Sequence, residues 1–153
     1  SEMRSLDWFL LDQEPHQGIH AFIKDMNKLY LENDALYYND NDVMGFEWMD
    51  CERAETSTVA FVRRGKTTKK QLMFILNFTP VAHEQYTVKA PCGGTFREIL
   101  NSDAPKYGGQ GRLNESPIKA KKVTTDKKKE TAYELTCYLP PLSVVVLEYD
   151  YKK

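Results

Sequence analysis

The residue types in this chain that could do chemistry are three cysteines, a glycine cluster and several lysine runs, with carboxylates spread throughout. Cys51, Cys92 and Cys137 are odd in number and far apart. No pair has the short spacing of a zinc knuckle or a redox dithiol, so no metal or cofactor is expected. They read as reduced thiols in a cytoplasmic protein. The stretch Arg97 to Gly111, "REILNSDAPKYGGQG", places Gly108, Gly109 and Gly111 beside Tyr107. A glycine loop can cradle phosphate, but this one lacks the following helix and the Lys-Ser/Thr pair that such a cradle uses. It reads instead as a crossing between sheets. Asn101, Ser102 and Asp103 make Asx-type turns, the glycines supply positive φ or close approach, and Tyr107 tucks against the sandwich or against a body beside it.

The lysine runs "KAKK" and "TDKKKE" are interrupted by Asp126 and Glu130 and carry no interleaved aromatics, so they read as a solvated hairpin rather than a phosphate-binding patch. Lys plus Arg number 21 against 22 Asp plus Glu, a net charge of -1. A near-neutral chain has no electrostatic reason to seek nucleic acid or an anionic membrane. No apolar run approaches the roughly 20 residues of a membrane span. The start, Ser1-Glu2-Met3-Arg4, lacks the pattern of a signal peptide. Asn77-Phe78-Thr79 and Asn114-Glu115-Ser116 match the glycosylation pattern, the first inside what reads as a buried strand.

The elements that would position these residues change character once. From Gln17 to Asn33 the pattern is helical: Ile19, Phe22, Ile23, Met26, Leu29 and Tyr30 fall on one side, and Lys24, Asp25, Asn27 and Lys28 opposite. Ahead of it "SLDWFLL" predicts one helical turn or a tight loop. After Asn41 eight β-rich runs follow, divided by turn residues: "GFEWMD", "STVAFVRR", "QLMFILNFT", "EQYTVKA", "GTFREIL", "IKAKKVTT", "TAYELTCYL" and "SVVVLEYDY". The fold class expected is mainly β: an antiparallel β-sandwich with Greek-key connections, preceded by one amphipathic helix. "QLMFILNF" is apolar nearly throughout and belongs at the centre, covered on both sides. Tyr133, Leu135, Cys137 and Leu139 alternate as one buried face.

Burying six large side chains of the helix is worth on the order of 10 kcal/mol. Such a helix lies against one face of the sandwich or belongs to a layer this chain lacks; a sandwich's outer faces are mostly polar, which favours the second. In the chain alone it is then expected to pair with a second copy or to fray, opening before the sandwich does.

"SLDWFLL", "GIHAFIKDMNKLYLENDAL", "GFEWMD", "FVRRG", "NFTP", "FREILNSDAPKYGGQG" and "LPPLSVVVLEY" occur in an order and spacing that resembles the C-terminal end of the 1,4-α-glucan branching enzymes, relatives of α-amylase. The resemblance runs from about Ser5 to Tyr149. It implies a (β/α)8 catalytic barrel in the parent, with residues 1–39 as the end of that barrel and 40–153 as an all-β C-terminal domain. It implies α-glucan (glycogen or starch) as substrate and the barrel as a partner in cis. Retaining glycosyl transfer uses two carboxyl groups about 5 Å apart, and the resemblance puts these on strands preceding this chain. No catalytic residue is therefore expected here. Asp7, beside Trp8, is assigned to capping the short turn. Trp8, Trp48 and Tyr107 are the candidates for stacking on sugar rings, although packing is the favoured reading of each.

Overall fold

In the computed structural model, residues 3–67, 69–124 and 131–151 are described. A short 3-10 turn at Trp8–Asp12 leads into helix α1 (Glu14–Glu32). Eight strands follow: β1 (Phe46–Asp50), β2 (Thr58–Arg63), β3 (Gln71–Asn77), β4 (His83–Ala90), β5 (Gly94–Asn101), β6 (Ile118–Thr124), β7 (Thr131–Leu139) and β8 (Ser143–Tyr149). All eight predicted runs are strands. The helix begins three residues before the predicted Gln17, because Pro15 needs no amide partner in the first turn. Asn33 closes it, its Nδ2 donating to the Leu29 carbonyl at 2.9 Å. Asp7 sits at the cap position of the 3-10 turn, but its side chain makes no capping bond. It faces Arg4 at 3.6 Å on the surface instead.

Every pairing is antiparallel, in the order β1-β2-β3-β8-β5-β6-β7-β4. The ladder folds into two layers because β6 serves both. Ile118 to Ala120 pair with β5, and Lys121 to Thr124 pair with β7. Between the layers lies the main core. The larger sheet contributes Ala60, Val62, Met73, Ile75, Val145 and Leu147, and the smaller contributes Tyr86, Val88, Leu135, Cys137 and Leu139. The alternation predicted for β7 is the observed one. The tip of the β6–β7 connection, where "TDKKKE" falls, lies outside the described residues.

β3 is buried almost throughout, as predicted, and its second cover is the helix. A separate apolar cluster on the outer face of the larger sheet joins Leu72, Leu100 and Val146 to Phe22 and Leu29 of α1, with Ala35 and Leu36 beyond it. The preference for partners outside this chain is thus corrected for two of the six apolar residues of α1, Phe22 and Leu29. The physical reason is that the outer face of β3, β8 and β5 is apolar, unlike the outer face of a typical sandwich. Phe22 and Leu29, two turns apart, lie on the docked line. Ile19, Ile23, Met26 and Tyr30 lie about a quarter turn round and are exposed.

These two contacts differ in cost when cut back. Ile75→Ala, in the fully buried inter-sheet core, should lower unfolding free energy by about 2–5 kcal/mol. Phe22→Ala, at the half-covered helix contact, should cost only about 1–2 kcal/mol, part of the ~1.5–3 kcal/mol for a fully buried side chain. Urea denaturation of both variants against the parent reads the ordering.

Candidate functional site

The loop between β5 and β6 is built around Asp103. The Asn101 Oδ1 accepts from the Asp103 amide at 2.9 Å, forming the predicted Asx turn. Asp103 then gathers the returning chain: its carboxylate accepts from the amides of Gln110 and Arg112, both at 3.1 Å. Gly108 and Gly111 have φ of 89° and 79°, as a return this tight requires. Gly109 has no room for a side chain, since a Cβ would lie 2.2 Å from the Asp103 carbonyl oxygen. The loop ends in β6, the strand shared by both layers, so the predicted crossing is observed.

Its apex grips the helix. The Tyr107 hydroxyl donates to Asp25 Oδ2 at 2.7 Å, and Lys106 Nζ reaches the same oxygen at 2.6 Å. The Tyr107 ring meets Phe22 edge-on, with centroids 5.1 Å apart. Gly18 lets the chains close, for a Cβ there would stand 2.6 Å from the Tyr107 carbonyl oxygen. Lys106, then Tyr107, hold the Asp25 carboxyl below its ordinary value. Burial, and then the bond to Asp25, raise the Tyr107 phenol. The hydroxyl of this sugar-contact candidate is therefore committed to Asp25.

The far end of α1 is held separately. Arg63 Nη2 donates to the Leu36 carbonyl at 3.0 Å and to Asp40 Oδ1 at 2.7 Å. Asp34 Oδ2 accepts from the Lys66 amide at 3.3 Å.

Trp48 sits on β1, at the edge of the larger sheet's outer face, and is 52% exposed. Its ring stands perpendicular to Phe46 and Phe61, with centroids at 4.9 and 5.8 Å. Phe46, Phe61 and Phe74 stack across β1, β2 and β3 at 5.3 and 4.9 Å. Sequence reasoning missed this row, although strict alternation in "GFEWMD" and "STVAFVRR" carried the signal. Trp8 is exposed in the 3-10 turn. Trp8, Trp48 and Tyr107 lie on three separate elements, and no aromatic contact joins them among the described residues.

The remaining sequence candidates resolve into packing. Asn77 is buried, with its amide bonded to the carbonyls of Val81 and Pro140, both at 2.8 Å. Asn114 Nδ2 donates to Glu98 and to the Tyr138 carbonyl, so both glycosylation motifs are engaged in the fold. Cys92 and Cys137 are buried and Cys51 is exposed, all three as free thiols. Burial pushes the Cys137 thiol up to about 12, out of the nucleophilic range. Among the described residues, no helix is long and apolar enough to cross a membrane.

The family model for the alpha amylase C-terminal all-beta domain matches residues 48–150, all of the sandwich but the first two residues of β1. The chain belongs to that family. It is 41% identical over 148 residues to a 1,4-alpha-glucan branching enzyme of Prochlorococcus marinus (strain MIT 9515), covering 97% of this chain and 19% of that protein. The corresponding figures for the branching enzyme of Synechococcus elongatus are 42% over 143 residues, 94% and 18%. For that of Aquifex aeolicus they are 40% over 146 residues, 95% and 23%. The chain thus spans about a fifth of the length of the curated relatives it matches. Among the described residues, one α-helix and eight antiparallel strands do not make a (β/α)8 barrel.

Two variants test the grip on α1. In Gly18→Ala the strain of about 1–3 kcal/mol should exceed the helix-propensity gain of about 1 kcal/mol. A lowered thermal midpoint is the expected result. Asp25 has a depressed pKa, so its stabilising effect is present above the unfolded carboxylate value and lost as pH falls through the folded one. The difference in midpoint between the parent and Asp25→Asn should therefore shrink as pH drops below about 4.

Proposed function

We propose that this chain is the non-catalytic C-terminal part of a 1,4-α-glucan branching enzyme. Such an enzyme cleaves α-1,4-glucan chains and transfers them to form α-1,6 branches in glycogen or starch. In this reading residues 1–39 complete the end of the (β/α)8 barrel, 40–153 form the all-β domain, and the parent works in the cytoplasm on α-glucan. The domain braces the barrel through α1.

The observation that carries the reading is the two-sided helix. Phe22 and Leu29 are docked on the sandwich, while Ile19, Ile23, Met26 and Tyr30 form a bare apolar stripe on the adjacent side. A stripe of that size on a helix already fixed along another line suits an element shared by two bodies. In the isolated chain the same stripe is open to a second copy.

A second reading has one observation in its favour, the half-exposed Trp48. A sugar ring can stack on an indole, and a glucan strand held there would lie along the edge of the larger sheet. Tyr107 favours it less, since its hydroxyl and ring are spent on Asp25 and Phe22.

Incubated with amylose, the chain alone should leave the iodine complex and the number of reducing ends unchanged. Turnover that survives purification controls contradicts the leading reading. Calorimetry with maltoheptaose should give a Kd of ~1 mM or weaker, about 4 kcal/mol. Micromolar affinity that Trp48→Ala abolishes, with an unchanged thermal midpoint, makes the chain a glucan-binding module instead.

A further inference from the structure

The turns that follow β3 and β7 are tied into one knot. Asn77 bonds both through the Val81 and Pro140 carbonyls. Its Oδ1 accepts from the amide and hydroxyl of Thr79 at 3.0 and 2.8 Å. Ser143 Oγ donates to the Pro140 carbonyl at 2.7 Å, and the Leu142 amide donates to Thr79 at 2.8 Å.

Within this rigid frame Leu142 has a φ of 45°, the left-handed region that a β-carbon disfavours. Its side chain is 68% exposed, and Phe78 across the knot is 60% exposed. An exposed leucine in a strained backbone gains the isolated fold neither burial nor ease. Held this firmly, such strain points to a role outside the fold. Between the two side chains and the helix runs an open groove of about 360 Å³, lined by Phe22, Leu76, Phe78, Leu142 and Val144.

The groove's lining decides what suits it. Asn77 and Ser143 are consumed by the knot, and Ser102 Oγ accepts from the Val144 amide at 2.9 Å. A sugar would find almost no free hydrogen-bonding group there, whereas an apolar side chain would lose nothing by entering. The groove is also continuous with the bare side of α1. Phe22, on the docked line of α1, forms its wall on the helix, and Ile19 and Ile23 of the bare side flank Phe22 and are exposed.

We infer that Phe78 and Leu142 are a second anchor for the catalytic part of the same polypeptide. That part covers the α1 stripe and seats one or two apolar side chains in the groove. The inference rests on the reading under Proposed function, and about four-fifths of the relatives' length is available to provide the cover. The anchored surface then extends from the helix across to the β3–β4 and β7–β8 turns.

Thiol accessibility tests this. In a Cys51→Ser background, single cysteines are placed by Leu142→Cys, Ile23→Cys and Lys89→Cys, the last on the exposed side of β4. Each is labelled in the chain alone and in a chimaera where the chain replaces the matching region of the Aquifex aeolicus relative. The aligned positions of the unaltered Aquifex protein, against its own excised C-terminal region, give the same comparison should the chimaera fail to fold. All three should label readily in the chain alone. In the longer protein, labelling at 142 and 23 should slow at least tenfold while that at 89 is unchanged. Protection at 23 with full reactivity at 142 overturns the anchor and leaves the buttress reading intact. Full reactivity at both positions overturns the two together.

Discussion

β3 and β8 carry apolar side chains on both faces, so the larger sheet needs two covers. Met73, Ile75, Val145 and Leu147 look inward to the smaller sheet, and Leu72, Phe74, Val144 and Val146 look outward. An antiparallel sandwich ordinarily leaves its outer faces to water. Here that solution fails, and the arrangement of the N-terminal segment follows from the failure. α1 lies where it does because Leu72, Leu100 and Val146 are fully or nearly fully buried only beneath it.

Hydrophobic contact alone is non-directional and does not fix a helix along its axis. Directional contacts at the two ends do. At one end Gly18 and the Tyr107 backbone meet closely, with Lys106 and Tyr107 converging on Asp25. At the other, Arg63 and Asp34 tie residues 34–40 to β2 and the turn after it. The glycine-rich loop is therefore a positioning device, and its bonds around Asp103 keep the apex rigid enough to serve as one. A cover positioned from both ends leaves the remaining apolar side of α1 in a defined orientation.

The strands were legible because turn residues separate runs of alternating or continuous apolar character. "QLMFILNF" told of its own two covers, since the run Leu72 to Leu76 is apolar on both sides. What escaped was the identity of the second cover. The periodicity of Ile19, Phe22, Ile23, Met26, Leu29 and Tyr30 shows one broad apolar side, and nothing local divides it into a docked line and a bare one. That division depends on Leu72, Phe74 and Val146, which come together on the outer face only once strand register is set. The loop was legible as a turn from Asn101, Asp103 and its glycines. Asp25 as its target was not, because the two are 82 residues apart from Asp25 to Tyr107.

α1 is fixed to the sandwich on one side and carries an exposed apolar side on the other. Native-state hydrogen exchange on the chain alone tests this most directly. Amides from Ile19 to Tyr30 should be slower than in a free peptide yet open before those of Leu72 to Asn77. Exchange as fast as in an unstructured segment would contradict the docking. Exchange as slow as that of β3 would show the helix to be complete without a second cover, contradicting a half-covered α1.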